Sequence, residues 1–208
     1  FLILFSAISW CACNPTTDDD FDPTTPFDGA EADRGTWKWV PLDGLVTRTG
    51  AATGIGVRLA DEDAVGLMIY LQGGGACFND VTCDSNPKTF DANDFLSWVV
   101  ISGNAGIHNT NQADNPVKDW HMVFVPYTTG DLHFGQSPSA DPANDERNFV
   151  GYANMQIILA ELSSYFTEVD DVLLTGSSAG GYGATFNWAE AEAAFGSMHL
   201  THRPHGVM

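Results

Sequence analysis

Residues 172–188 read VLLTGSSAGGYGATFNW. The apolar run at 171–175 has strand character and leads into Gly176-Ser177-Ser178-Ala179-Gly180, a G-x-S-x-G centred on Ser178. Residues 182–195 then read as a helix. Strand, sharp turn and helix form the setting in which this motif presents a serine nucleophile. The reason is steric. On so tight a turn the backbone around the serine passes close to the residues two before and two after it. Only small residues fit there, and the hydroxyl is held out above the sheet. The bare pattern is weak in a chain with 21 glycines among 208 residues; the strand before it and the helix after it make it specific. The rival reading is a glycine-rich helix start without chemistry, and Ser177 is the off-centre, weaker candidate.

Outward from this turn, residues 65–71 (VGLMIYL) and 121–126 (HMVFVP) are continuous apolar runs like 171–175. Runs of this kind suit strands covered on both faces, as in a parallel sheet. Residues 37–40 (WKWV) and 54–60 (GIGVRLA) read as short alternating strands. Phe149, Val150, Ala153, Ile157, Leu159, Leu162 and Phe166 trace one helical face, and 102–118 reads as a loop. Alternating strands and helices indicate the α/β class.

Two further stretches bear on chemistry. Leu71-Gln72-Gly73-Gly74-Gly75-Ala76-Cys77 follows a predicted strand. A serine hydrolase needs backbone N–H groups aimed at the oxyanion of its tetrahedral intermediate. One comes from the residue after the nucleophile, here Ala179, and another from a glycine-rich loop such as this one. A phosphate-cradling loop is the rival, but the stretch lacks the G-K-[ST] ending of a P-loop and the third glycine of G-x-G-x-x-G. Residues 126–135 (PYTTGDLHFG) lie past the carboxyl end of a strand, where α/β proteins place their sites. Asp131 and His133 precede Ser178, the wrong order for an α/β-hydrolase triad. Lining the mouth of the pocket, together with Tyr127, is the expected role; pure loop structure is the alternative.

Charge narrows the partners. Eight Lys+Arg stand against 27 Asp+Glu, a net charge of −19. That is the wrong sign for nucleic acid or for adsorption to anionic lipid. Seven of the acidic residues fall between Asn14 and Asp33; from Arg34 onward eight basic residues face twenty acidic ones. This acidity does not attract polyanions, which favours a neutral acetylated glycan or a small ester as substrate. With 44% hydrophobic residues the chain can still build a core.

The first ten residues, FLILFSAISW, are too few to span a bilayer, which takes about 20. They fit the apolar region of a signal peptide; a buried strand is the alternative. With the residues up to Cys13 they are read as a signal remnant. Residues 14–36 are read as an acidic Pro/Thr/Asp linker and 37–208 as the folded part. Ala12-Cys13 followed by a polar tether resembles a bacterial lipoprotein with Cys13 lipidated; ordinary secretion is the other option. Both place the protein outside the cytosol. Cys77 and Cys83, six apart, suit a short disulfide loop in that compartment, with two free thiols as the alternative. No metal site or cofactor is implied.

LQGGGACFNDVTC (71–83), NPVKDWHMVFVPYTTGDLHFG (115–135) and LLTGSSAGGYGATFNW (173–188) together resemble the pectin acetylesterase/Notum family of secreted α/β-hydrolases. The resemblance runs in order from about Trp37 to Trp188. It implies a three-layer α/β-hydrolase-like fold, with a mostly parallel sheet and helices on both faces, incomplete at the C-terminus. It implies carboxylesterase chemistry, with Ser178 as nucleophile and Gly74, Gly75 and Ala179 as oxyanion donors. It also matches Cys77 and Cys83 to a family disulfide. Where many members carry a second cysteine after Pro-Tyr, this chain has Thr128. The family's acid and histidine lie well beyond the nucleophile helix, whereas the chain given ends 30 residues past Ser178. His199, His202 and His205 follow too soon to serve. The expectation is therefore the N-terminal portion of an extracytoplasmic, monomeric serine carboxylesterase, lacking the triad acid and histidine in the chain as given. Its substrate would be a glycan or small-molecule O-acyl ester, and the only membrane contact a possible lipid anchor. The alternatives are a lipid or protein deacylase, and a catalytically incomplete glycan-binding module with stacking aromatics such as Trp37, Trp39 and Trp120.

Overall fold

The computed structural model describes residues 25–142, 145, 147–196 and 199–205, without the side chains of 199, 200 and 202–205. The expected signal segment and Cys13 lie outside the described residues. Six strands, β1 (Lys38–Val46), β2 (Ala52–Arg58), β3 (Gly66–Leu71), β4 (His121–Val125), β5 (Asp171–Ser177) and β6 (His199–His205), form one sheet in the order β1-β2-β4-β3-β5-β6. The β1–β2 and β2–β4 pairs are antiparallel; β3 lies parallel between β4 and β5, and β6 is parallel to β5.

Side-chain alternation along the central strands builds two cores. Leu67, Ile69 and Leu71 of β3, Val123 and Val125 of β4, and Val172 and Leu174 of β5 point to one face. There they pack on the helix α4 (Gly151–Tyr165) through Met155, Ile158, Leu159 and Leu162, and on Phe195 of α6 (Trp188–Phe195). Met68, Met122, Phe124 and Leu173 point to the other face and meet Phe95 of α3 (Ala92–Ile101). Helices on both faces of a mostly parallel sheet are the expected three-layer arrangement, and the three continuous apolar runs are its central strands.

Three details differ from the sequence reading, and a fourth extends it. The linker ends early: α1 (Asp28–Ala32) lies within it, and Phe27 and Ala30 are buried, with the Phe27 ring 4.2 Å from Tyr165. The buried stripe of α4 is Met155, Ile158, Leu159 and Leu162, whereas Ala153 is exposed and Ile157 half-buried. The helix predicted over 182–195 is two helices, α5 (Ala179–Phe186) and α6, which meet at Asn187. Its buried amide donates to the carbonyls of His133 and Gly183, so a tertiary bond sets the bend. The segment holding His199, His202 and His205 is β6, with His205 in register opposite Ser177.

Besides α1, two helices that sequence reading missed start on capping boxes. In α2 (Asp80–Ser85) the pair is Asn79 with Thr82, and in α3 it is Asp91 with Asp94. Trp37 is buried, and Trp39 and Trp120 are partly buried against the second core, so all three aromatics pack.

Candidate active site

β5 ends at Ser177, and Ser178 forms the turn into α5 with φ 52° and ψ −120°. A non-glycine residue with positive φ is strained, and such strain clusters at functional sites. The crossing of backbones here is as close as the motif requires. A Cβ on Gly176 would sit 2.5 Å from the Gly180 carbonyl, and one on Gly180 would sit 1.9 Å from Leu71 O. Ser178 is exposed while Ser177 is half-buried, so the motif's central serine is the one presented.

Ser178 opens onto a cleft of about 460 Å³, lined among others by Tyr70, Gly73, Trp98, Ile107 and His108. A slightly larger cleft, about 520 Å³, lies where β2 ends and β3 begins, beside Arg34, Lys118 and Trp120, but no serine or cysteine lines it. Position at the carboxyl ends of parallel strands, together with the nucleophile, singles out the Ser178 cleft.

The glycine loop passes beside the serine: a Cβ on Gly73 would lie 3.0 Å from Ser178 Cβ. Its backbone is anchored at both ends, Gln72 N–H donating to Val125 O (3.0 Å) and Cys77 N–H to Gly130 O (2.7 Å). Between those anchors the N–H groups of Gly73, Gly74, Gly75 and Ala76 have no protein acceptor among the described residues. The Ala179 N–H, at the first position of α5, is unpaired in the same sense, as helix starts are. The N–H groups of Gly74, Gly75 and Ala179, the expected oxyanion donors, are therefore unpaired among the described residues, while Gln72 and Gly73 are the loop residues that line the Ser178 cleft. The loop leaves through the Cys77–Cys83 disulfide, which closes the ring over α2. Thr128, where many members of the resembled family carry a cysteine, is buried, and its carbonyl accepts the Arg48 N–H.

Tyr127, Asp131 and His133 do not line the Ser178 cleft; they stand behind the loop. The Tyr127 hydroxyl donates to Gly75 O (2.7 Å) and accepts the Leu132 N–H (3.0 Å). Burial pushes that phenol up to about 12, so it stays a donor. Asp131 accepts from Thr129 Oγ1 (2.6 Å) and from the Gly151 N–H (2.8 Å) at the start of α4. The buried His133 donates from Nε2 to Gln72 O (2.9 Å). Burial holds its ring below the usual histidine range, against the pull of that bond and of Asp131. Both members of this pair are committed to structural bonds, and Leu132 and His133 have φ of 61° and 58°. The physical reason for the correction is that the loop's carbonyls need partners on the buried side, which Tyr127 and His133 supply, while Asp131 is taken up by Thr129 and the start of α4.

His108 is the cleft residue that sequence reading left inside a plain loop. It ends a short 3₁₀ turn, Gly106–His108, with its ring edge-on to Tyr70 (4.6 Å) and Trp98 (5.2 Å). Burial and the nearby Arg58 lower its pKa to about 4, despite a bond to the Ser102 backbone. A folded-state value below the unfolded 6.5 means that the unfolded chain binds the proton more readily. The stabilising effect of a neutral His108 is therefore complete above 6.5 and lost as pH falls toward 4. At pH 5 the loss from this ring is about 2 kcal/mol. Thermal melts at pH 7 and pH 5 are expected to show a drop in Tm that is smaller in His108→Phe; an equal drop in both proteins would refute the assignment.

Known proteins resemble this chain in sequence and fold. The family model for Pectinacetylesterase matches residues 61–199. The palmitoleoyl-protein carboxylesterase NOTUM of Mus musculus is 34% identical over 125 residues, 58% of this chain and 24% of that protein. The same enzyme of Schmidtea mediterranea is 32% identical over 124 residues, 58% of this chain and 23% of that protein. The chain therefore spans about a quarter of the length of these relatives. A solved structure of the Wnt deacylase Notum from Drosophila superposes with a TM-score of 0.57 at 17% identity, covering 81% of this chain and 52% of that one, a likeness of fold. The family match takes in the glycine loop, the disulfide, the 126–135 segment and the Ser178 turn, two-thirds of the sequence, and the chain belongs to the pectinacetylesterase family.

Proposed function

We propose that this chain carries the nucleophile and oxyanion half of a serine carboxylesterase that removes O-acyl groups. The observation that carries this is the strained, exposed Ser178 beside a loop whose backbone donors are unpaired. Ser178 Oγ attacks the ester carbonyl, and the carbonyl oxygen takes up negative charge. The N–H groups of Gly74, Gly75 and Ala179 receive that charge. The alcohol leaves, and water releases the acyl group from the serine. A general base must reach Ser178 Oγ. Among the described side chains no histidine bonds to it, and His133 is occupied at Gln72 O.

The acyl group is acetyl and the alcohol an extracellular glycan in this reading. The cleft's volume and aromatic walls suit a sugar ring, and the acidic composition suits a neutral one. The disulfide suits work outside the cytosol, with Cys13 as the point of lipid attachment if there is an anchor. The relatives' activity on palmitoleoylated protein supports a second reading, a deacylase taking long acyl chains. Hydrolysis by the full-length gene product of p-nitrophenyl esters from acetate to palmitate separates the two. Acetate is expected to be the best substrate, with acetate also released from acetylated polysaccharide. A rate that rises with chain length would favour the deacylase.

A further inference from the structure

Three buried side chains grip three carbonyls of the glycine loop. His133 Nε2 donates to Gln72 O at 2.9 Å, Asn86 Nδ2 to Gly74 O at 2.7 Å, and the Tyr127 hydroxyl to Gly75 O at 2.7 Å. All three residues are buried, whereas Gly75 is exposed. Every peptide bond among the described residues is trans, and in a trans peptide the N–H points opposite to the C=O. A carbonyl held from the buried side therefore turns the N–H of the same peptide to the open side. For Gly74 O the group so turned is the Gly75 N–H, one of the oxyanion donors. For Gly75 O it is the Ala76 N–H. Hydrogen bonding to the carbonyl also polarises the amide and strengthens its N–H as a donor.

Asn86 is well placed to hold its carbonyl steadily. It follows α2, where its own N–H donates to Cys83 O (3.3 Å) and its carbonyl accepts from Arg48 Nη2 (3.3 Å). Arg48 Nη2 also donates to Cys83 O (2.7 Å), and Cys83 is tied by its disulfide to Cys77 at the end of the loop. The chain thus leaves the glycine loop, crosses the disulfide ring and returns three residues after Cys83 to grip Gly74. Gly75 itself has φ 82°, and a Cβ there would come 3.2 Å from Asn86 Nδ2, so the amide packs directly under the turned peptide.

We propose that Asn86 and Tyr127 are positioning residues, Asn86 aiming and polarising the Gly75 N–H and Tyr127 adding the Ala76 N–H of the next peptide to the oxyanion donors, a role that rests on the Ser178 esterase reading. Neither touches the substrate; both act through the peptide they hold. A positioning role predicts a loss in the transition state alone, since the donors meet the oxyanion and not the ground-state ester.

The test uses the full-length gene product with p-nitrophenyl acetate, and kcat is normalised to the titre of reactive serine. Asn86→Ala and Tyr127→Phe are each expected to lower kcat about tenfold or more, with KM within about twofold. The affinity of a trifluoromethyl ketone, whose hemiketal adduct with Ser178 Oγ carries the oxyanion, should fall in parallel. Tyr127→Phe removes a single oxygen and decides the matter if Asn86→Ala does not fold. Unchanged kcat in the folded variants, or a loss confined to KM, overturns the proposal while Ser178→Ala remains inactive. If Ser178→Ala keeps its activity, the esterase reading fails and the proposal with it.

Discussion

Ser178→Ala in the full-length gene product is expected to lower kcat for p-nitrophenyl acetate by about a thousandfold or more, with Tm nearly unchanged. The size follows from the role: without Oγ no acyl-enzyme forms, and only the residual effect of binding and oxyanion donors is left. The small change in stability follows from the site. Ser178 is exposed, its side chain makes no capping bond to α5, and alanine occupies the same φ of 52° at similar strain. Steady-state rates with thermal melts on the same preparations separate chemistry from folding. Activity within tenfold of the parent would sink the assignment of Ser178.

Gly180→Ala should act oppositely, on the fold first. Its Cβ would fall 1.9 Å from Leu71 O and 2.6 Å from Leu71 C, both backbone atoms of a fully buried residue at the end of β3. Leu71 is paired in register with Gly176 of β5 and cannot retreat without breaking the centre of the sheet. The expected loss is about 3 kcal/mol or more, a fall in Tm of about 6–12 °C for a chain of this length. Gly29→Ala is the matched control, since nothing lies within 4 Å of a Cβ there. Melts of the 208-residue chain that place Gly180→Ala within 2 °C of the parent would show that the approach of β3 to the turn is looser than described.

What was legible in the sequence was what a single segment decides for itself. β3, β4 and β5 are buried on both faces, so their apolar runs stand out without any partner. The Ser178 turn was legible because its glycine spacing answers a steric demand within five residues. Where the deciding contact came from elsewhere, sequence was silent. Asn187 bends α5 away from α6 by bonding to His133 O, a residue 54 positions earlier. Met155 and Ile158 replace Ala153 and Ile157 on the buried side of α4 because of how the helix sits on β1 and the sheet. Helix α3 escaped notice because its apolar residues fall all round: Phe95 is buried while Leu96, Val100 and Ile101 are exposed. Tyr127, Asp131 and His133 were in the right region but one layer too far forward. Proximity to a strand's carboxyl end does not say whether a side chain faces substrate or holds the backbone that does.

The two cores also bear on how the cleft can change its taste. One face of the sheet is mainly aliphatic; the other is richer in aromatic rings and continues into the wall beside Ser178. Trp98 stacks on Phe124 at 3.8 Å and meets Trp37 at 5.1 Å, yet it also lines the cleft, as Tyr70 and His108 do. Recognition and cohesion therefore draw on the same rings. Exchanging those walls to admit a new substrate would loosen the molecule's interior at the same stroke. Diversification has an easier route through Ser102, Ala105, Gly106 and Ile107, which line the same opening from a connecting segment. Variation there can reshape the entrance while the aromatic stack behind it stays intact.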